Sequence, residues 1–237
     1  MSYSKLVTHI NISPNKTTKR KYKITRITPH CSVCSVTVER LLAIFKPLTR
    51  RASCNYGIGN DGKVGLCVDE DDRSWCSSSK DNDNRAITIE VASSNKYTYT
   101  ITDASLRSLI NLMADICVRY NKNKIIWVDD KNKALSYKLK DDEMLITVHR
   151  WFSKTACPGE YIYNKLDYIA DEVNKILSSN VDITDDDPYI RYIVKRGDTL
   201  SRISRNYNVT ISELASINNI KNINFIKVGQ CILIPKK

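Results

Sequence analysis

The chain contains three histidines, His9, His30 and His149. His9 sits in a polar amino-terminal stretch and carries no expectation of chemistry. His30 comes just after an alternating polar–apolar stretch ending at Thr28, which reads as a strand closed by Pro29. His149 follows the apolar run Met144–Val148, and Cys157 comes shortly after it in Thr155-Ala-Cys-Pro-Gly159. Two imidazoles and one thiolate make a plausible catalytic zinc set, leaving the fourth tetrahedral position for water. Zinc brings that water's pKa down toward ~7 and polarises a carbonyl oxygen. Residues so far apart in sequence are equally at home in unrelated structural places, and residue types alone leave both readings open. Glu90 shares this ambiguity: it is either a carboxylate within reach of a reacting water or a strand-end surface residue. Cys31 and Cys34 form a Cys-x-x-Cys pair with no matching pair and no thioredoxin-like context, so no redox or structural-zinc role is assigned to them. Cys31, adjacent to His30, is a potential competitor for metal.

Strand ends suit such ligands because a sheet fixes their direction. Val36–Phe45 has helical spacing. Cys54–Gly59 and Val64–Val68 read as strands joined at Asn60-Asp61-Gly62, a tight-turn signature. Ala86–Val91 is rich in β-branched residues. A helix is expected over 104–120, capped by Thr102 or Asp103, and a second amphipathic helix over 161–177. Ile125–Val128 and Met144–Val148 read as buried strands. The expected fold is α/β, a mixed central sheet with helices on its faces, over residues 1–178. Residues 179–190 are polar and acidic and read as a linker. From 191 to 237 a small β-α-α-β module follows: Tyr192–Val194 as a strand, helices over 200–207 and 211–217, and a closing strand from Cys231.

Composition narrows the classes. The chain has 237 residues, 42% hydrophobic and 27% charged, with 7 Gly and 6 Pro. These values exclude disordered and collagen-like chains. No apolar run approaches the roughly 20 residues of a membrane span. The first twenty residues lack an apolar core, so no signal peptide is expected and the eight cysteines are expected to be reduced thiols. Net charge is +11: +8 over 1–180, −4 over 181–190 and +7 over 191–237. A basic protein seeks an anionic partner. No Arg-rich helix, zinc-finger spacing or RNP-type strand points to nucleic acid.

Four blocks resemble, in order, the zinc-dependent N-acetylmuramoyl-L-alanine amidases, a family that includes peptidoglycan recognition proteins and many phage endolysins. Ile27-Thr28-Pro29-His30 looks like the first-ligand strand. Ser53-Cys-Asn-Tyr-Gly-Ile-Gly-Asn-Asp-Gly62 looks like the second-strand hairpin. Asn84-Arg-Ala-Ile-Thr-Ile-Glu90 looks like the central strand ending in a carboxylate, and His149-Arg-Trp-Phe-Ser-Lys-Thr-Ala-Cys-Pro-Gly159 like the closing motif. The resemblance spans about 20–178. It implies zinc held by His30, His149 and Cys157, with Glu90 as the carboxylate that moves a proton from the attacking water to the leaving amine. The implied substrate is the amide joining the lactyl group of N-acetylmuramic acid to L-alanine. Many relatives carry Lys two residues before the Cys ligand. Here that place holds Thr155, with Lys154 one earlier, and either is a candidate oxyanion donor. A catalytic Tyr of some members is replaced by Cys54. Trp75 occupies a loop where relatives have a cleft-lining aromatic, and Tyr56 is a candidate wall residue; both are equally candidates for the core.

The terminal module, with Val194, Gly197-Asp198-Thr199-Leu200, Ile203, Tyr207, Leu214, Asn218, Gly229 and Ile232–Pro235, resembles a LysM domain over 192–235. This implies binding to N-acetylglucosamine-containing glycans at the turns around Gly197, Asp198, Thr199 and Leu200 and around Ile220–Phe225. Together the resemblances imply a bacterial peptidoglycan hydrolase with a wall-binding module and no stable membrane insertion. The expected setting is a phage or prophage endolysin of clostridial type, made in the cytoplasm and released through a holin-type lesion. A host autolysin or sporulation amidase and a non-catalytic wall receptor are the alternatives.

Overall fold

The computed structural model describes residues 3–178, 189–194, 197–218, 220, 222–226 and 231–235. The chain divides into two compact units, Met1–Ile183 and Thr184–Lys237. Residues 179–188 of the expected linker lie outside the described residues. Its last two, Tyr189 and Ile190, already belong to a strand of the second unit.

The first unit runs β1 (Val7–Ile10), β2 (Lys16–Thr17), β3 (Arg26–Cys31), α1 (Val38–Ala43), β4 (Tyr56–Ile58), β5 (Val64–Leu66), β6 (Arg73–Ser74), α2 (Lys80–Arg85), β7 (Ala86–Val91), α3 (Asp103–Arg119), β8 (Lys124–Ile126), α4 (Lys131–Ser136), β9 (Glu143–Ile146), α5 (Gly159–Tyr163) and α6 (Leu166–Ser178). Seven strands form one sheet in the order β1-β5-β4-β7-β3-β9-β8, with β2 and β6 paired apart from it. All neighbours in the large sheet are parallel except the β4–β5 hairpin. This is the expected mixed sheet with helices.

β3 does not stop at Pro29. It continues through His30 to Cys31, paired with β7 throughout. The reason lies in hydrogen-bond direction. The Ile27 carbonyl accepts from the Thr147 N–H, so this position faces the β9 side. Pro29 faces the same side, where the paired register ends at Ile27↔Ile146, so its missing N–H breaks no ladder bond.

The hairpin turn forms as its sequence dictates, with Gly62 at φ +84° and the Gly59 N–H donating to Lys63 O at 2.9 Å. α1 lies directly on this hairpin: a Cβ on Gly57 would sit 2.6 Å from Leu42 Cδ2. Thr102 caps α3 by accepting from the Ser105 N–H. The helix expected over 161–177 is two, α5 and α6, because the turn tightens at Asn164–Lys165, where the Lys165 N–H bonds to Ile162 O, three residues back.

The sheet has two unlike faces. Ile27, Tyr56, Ile58, Ile87, Ile89 and Val91 pack with Leu109, Met113 and Ile116 of α3 and Ile169 and Val173 of α6. The alternate residues Thr28 and Thr88 face the other side and are held by hydroxyl and amide groups. Thr28 Oγ1 pairs with Thr147 Oγ1 at 2.8 Å, Asn82 Nδ2 donates to Thr28 at 3.0 Å, and Thr147 donates to Asn82 Oδ1 at 3.0 Å. This network ties α2 to β3 and to the end of β9.

Tyr56 is on the helix side and so is not a wall residue. It is fully buried. Its register partner is Ile89, whereas Glu90 pairs with Gly57, so strand alternation sends Tyr56 and Glu90 to opposite faces. The Tyr56 hydroxyl donates to Glu70 and accepts from the Ser4 N–H. Glu70 is itself fully buried. It is gripped by Arg119 through two bonds of 2.6 Å and by the Tyr120 hydroxyl at 2.9 Å.

The second unit pairs β10 (Tyr189–Ile193) antiparallel with β11 (Cys231–Pro235) and sets α7 (Leu200–Asn206) and α8 (Ile211–Ile217) against them. Its core is Val194, Leu200, Ile203, Val209, Leu214, Ile232 and Ile234. Thr199 caps α7, and Thr210 with Glu213 closes a capping box on α8. The Asn218 side chain both donates to Leu233 O and accepts from the Leu233 N–H, at 2.8 and 2.7 Å. Leu200 is only 1% exposed, so its side chain belongs to the core and is not a glycan contact. Gly229 of the LysM resemblance lies outside the described residues.

Glu70 is fully buried. Replacing Arg119 by Met is expected to lower the unfolding free energy by about 3–5 kcal/mol, because a buried charge loses its partner. Urea denaturation of the two proteins checks this.

Candidate active site

β3 and β7 set the site. Their register places His30 directly opposite Glu90, on the face where Thr28 and Thr88 lie below them. The segment after β9 brings in the other two predicted ligands. His149 opens a short 3-10 turn, His149–Trp151, and the Arg150 N–H donates to Cys157 O at 3.1 Å, closing the 150–157 loop on itself. The Arg150 guanidinium holds the same loop, bonding Ala156 O at 2.7 Å and Glu160 at 2.9 Å while stacking on the Tyr163 ring. Gly159, at φ +81°, lets the chain leave the loop under Tyr99; a Cβ there would lie 2.7 Å from the Tyr99 Cβ.

The donor atoms of His30, His149 and Cys157 all lie within 4.8 Å of one another. Cys157 Sγ is 3.2 Å from His30 Nδ1. His149 Nε2 is bonded to Ser78 Oγ at 3.1 Å, which leaves Nδ1 as its donor atom. His30 is 1% exposed, and its Nε2 is buried without a hydrogen-bond partner. Burial, reinforced by the neighbouring His149, pushes the His30 pKa well below the usual value, and burial lowers that of His149. Both rings are therefore neutral, with lone pairs to give. The Cys157 thiol is pushed up, first by its hydrogen bond with Cys31 and then by burial. Two neutral imidazoles and a thiol converging at this spacing fit a borderline-soft divalent cation.

Glu90 faces a cleft of about 360 Å³ lined also by Arg50, Trp75, Cys76, His149, Thr155 and Cys157. Burial raises its pKa to about 7 against a hydrogen bond from Cys76 and the field of Arg50. Its Oε2 has no hydrogen-bond partner, so one lone pair remains to take a proton. Thr155 lines the cleft, and its Oγ1 accepts from the Cys157 N–H at 3.2 Å. Lys154 is exposed and is not among the lining residues, so of the two oxyanion candidates the loop presents only Thr155. Trp75 is half-buried in the wall, its indole N–H bonded to Thr17 at 2.9 Å. Cys31 lines the cleft and touches Cys157, as its place beside His30 suggested.

Three residues here were not singled out by the sequence: Arg50, Cys76 and Ser78. Arg50 ends a 3-10 turn, Leu48–Arg50, that no periodicity announces. Cys76 and Ser78 stand on a loop shaped by Asp83, which accepts from the Cys76 and Ser77 N–H groups at 3.1 Å. The signal for these residues is a spatial neighbourhood rather than a spacing.

The sequence profile of N-acetylmuramoyl-L-alanine amidases matches residues 4–160. The chain belongs to this amidase family. Residues 192–235 match the LysM domain. Among curated proteins, the N-acetylmuramoyl-L-alanine amidase XlyA of Bacillus subtilis is 46% identical over 43 residues, which is 18% of this chain and 14% of XlyA. The chain thus matches only a small part of that amidase relative. The solved catalytic domain of XlyA has a TM-score of 0.48 at 12% identity, covering 70% of this chain and 97% of that one. The endolysin amidase LysCS of Clostridium intestinale has a TM-score of 0.43 at 17% identity, covering 68% and 97%.

Two outcomes follow from this geometry. Ser78→Ala frees Nε2 of His149 and, if this imidazole ligates a divalent cation, is expected to weaken its affinity about 10–100-fold, read by competition with a chromogenic chelator. Glu90 has a folded-state pKa raised above its unfolded value, so its ionisation destabilises the metal-free fold as pH rises toward about 7. Glu90→Gln is accordingly expected to raise the Tm of the metal-free protein at pH about 8, with the gain disappearing below the unfolded-state pKa of about 4.3.

Proposed function

We propose that this amidase-family chain hydrolyses the amide between N-acetylmuramic acid and L-alanine in bacterial peptidoglycan, with zinc as its metal and the LysM unit as a wall anchor. One observation carries the reading: a carboxylate with one unpartnered oxygen lies opposite a buried imidazole, in the cleft that also holds the second histidine and the cysteine. Zinc would be held by His30, His149 and Cys157, and when bound it supplies Lewis-acid polarisation of the scissile carbonyl and acidification of water.

The chain's own residues do the rest. Glu90, with a pKa near neutrality, is poised to take the proton from the attacking water and hand one to the departing amine. Efficient proton transfer wants such a match to ambient pH. Thr155 has its oxygen occupied by the Cys157 N–H, so its hydroxyl proton remains to donate to the developing oxyanion. Arg50 is the positively charged residue of the lining and suits a carboxylate of the stem peptide. The face of Trp75 suits a sugar ring or the peptide.

In the LysM unit, Gly197 and Thr199 are exposed at the first turn, while Asp198 bonds the Tyr192 hydroxyl at 2.7 Å. Ile223 and Phe225 are exposed at the second turn, giving an apolar surface for a glycan. Tethering such a module to the enzyme raises local substrate concentration without new contacts at the cleft. Among the described residues no helix is long and apolar enough to cross a membrane. The setting that suits this pairing is an endolysin of phage or prophage, of clostridial type, made in the cytoplasm and reaching the wall through a holin-type lesion.

The test is digestion of purified peptidoglycan with product mass spectrometry, using native protein and Glu90→Ala. Native protein is expected to release stem peptides with a free L-alanine amino terminus, and the variant to be about 10²–10⁴-fold slower. Wall binding without release by zinc-loaded native protein would make the chain a receptor instead.

A further inference from the structure

The cleft contains a second donor set that the amidase reading does not use. His30, Cys76 and Glu90 each place one donor atom within 4.8 Å of the other two. Cys76 Sγ is 3.8 Å from Glu90 Oε1. Glu90 Oε2 and His30 Nε2 are each buried without a hydrogen-bond partner. His30 is 1% exposed, and its other nitrogen, Nδ1, is the one beside Cys157. With Nδ1 given to the first donor set, Nε2 is the nitrogen left, and it carries the ring proton. Cys76 is also held in place: Asp83 fixes its N–H at 3.1 Å, and Ser77 beside it donates through its hydroxyl to the same carboxylate at 2.6 Å.

We propose that Cys76 and Glu90, beside His30, form a second site for a soft divalent cation, and that filling it takes Glu90 out of the reaction. The donor chemistry selects the ion. A thiolate with a carboxylate and an imidazole suits zinc or cadmium, whereas calcium and magnesium prefer all-oxygen shells. On binding, metal–sulfur and metal–Nε2 bonds form, the Cys76 S–H and His30 Nε2–H bonds break, and both protons leave to solvent, the ring becoming an imidazolate shared by the two cations; Glu90 gives a lone pair and no electron is transferred. A carboxylate whose lone pair is committed to a cation no longer accepts a proton from water, so excess metal inhibits. The inhibitory part of this proposal rests on the amidase reading, and the binding part does not.

The experiment uses the full chain. Equilibrium dialysis against zinc, with protein-bound metal counted, is expected to give a second equivalent for native protein and only the first for Cys76→Ser. Cadmium titration reads the same step as a thiolate charge-transfer band that keeps growing past the first equivalent in native protein and stops there in the variant. Glu90→Gln, which keeps the side-chain shape, is expected to lose the second equivalent too, so the binding result does not depend on how Cys76→Ser folds. For hydrolysis, the quantity compared is each protein's activity in excess zinc relative to its own activity at one equivalent. This ratio is expected to fall about tenfold for native protein and to stay near unity for Cys76→Ser. Native protein saturating at one equivalent, or both variants still binding the second, would overturn the site. A second equivalent that leaves the native ratio unchanged would overturn the inhibition. Absence of amide cleavage at one equivalent counts against the amidase reading alone, because dialysis still scores the site.

Discussion

The site depends on one constraint, the parallel register of β3 with β7. Each strand contributes one chemical group near its end, and the pairing puts His30 opposite Glu90. A slip of one residue would turn one of the two side chains through the sheet into the helix-packed core, since strand positions alternate faces. Much of the fold around this pair resists such a slip. Thr28, Thr147 and Asn82 bind one another beneath it, and Asn55 accepts from the Thr88 N–H at 3.1 Å on the neighbouring strand. Because these polar contacts need particular partners, they specify register in a way that interchangeable aliphatic contacts do not.

The two faces of the sheet divide the work. One is an ordinary apolar interior with α3 and α6, and it includes a buried carboxylate matched by an arginine and two phenols. The other gives up apolar burial for groups that can react. Glu90 illustrates the cost: an enclosed carboxylate with an idle oxygen is less comfortable ionised than it would be in water. Groups kept in such positions commonly trade stability for activity.

How much of this the sequence shows varies by element. The hairpin, α3, β7 and the βααβ order of the second unit were legible, because Asn-Asp-Gly, helical periodicity, a β-branched run and Ser/Thr caps are local signals. β3 was misjudged at Pro29 because proline's incompatibility with a ladder depends on which side of the strand has a partner, and that is a tertiary fact. Tyr56 and Leu200 looked like surface or wall residues because their motif neighbours are; parity in one case and core packing in the other placed them inside. α2 was missed because its sequence is polar, and it forms through Ser79 capping and buried amide contacts instead of an apolar stripe. His30, His149 and Cys157 were chosen by resemblance, and the sheet brings their donor atoms together. Arg50, Cys76 and Ser78 join them from loops with no sequence pattern of their own.

The wide chain separation of the donors has a consequence for biosynthesis. His30 and Cys157 touch across 127 positions of sequence, and His149 arrives with the same late segment as Cys157. During translation the first histidine leaves the ribosome long before either partner exists, and the sheet cannot close around it until β9 has emerged. Contacts of such separation are among the last a chain can make. A nascent or prematurely terminated product lacks the complete donor set, so assembly of the His30, His149 and Cys157 cluster waits on nearly the whole first unit. Completion of the donor cluster is thereby written into chain order.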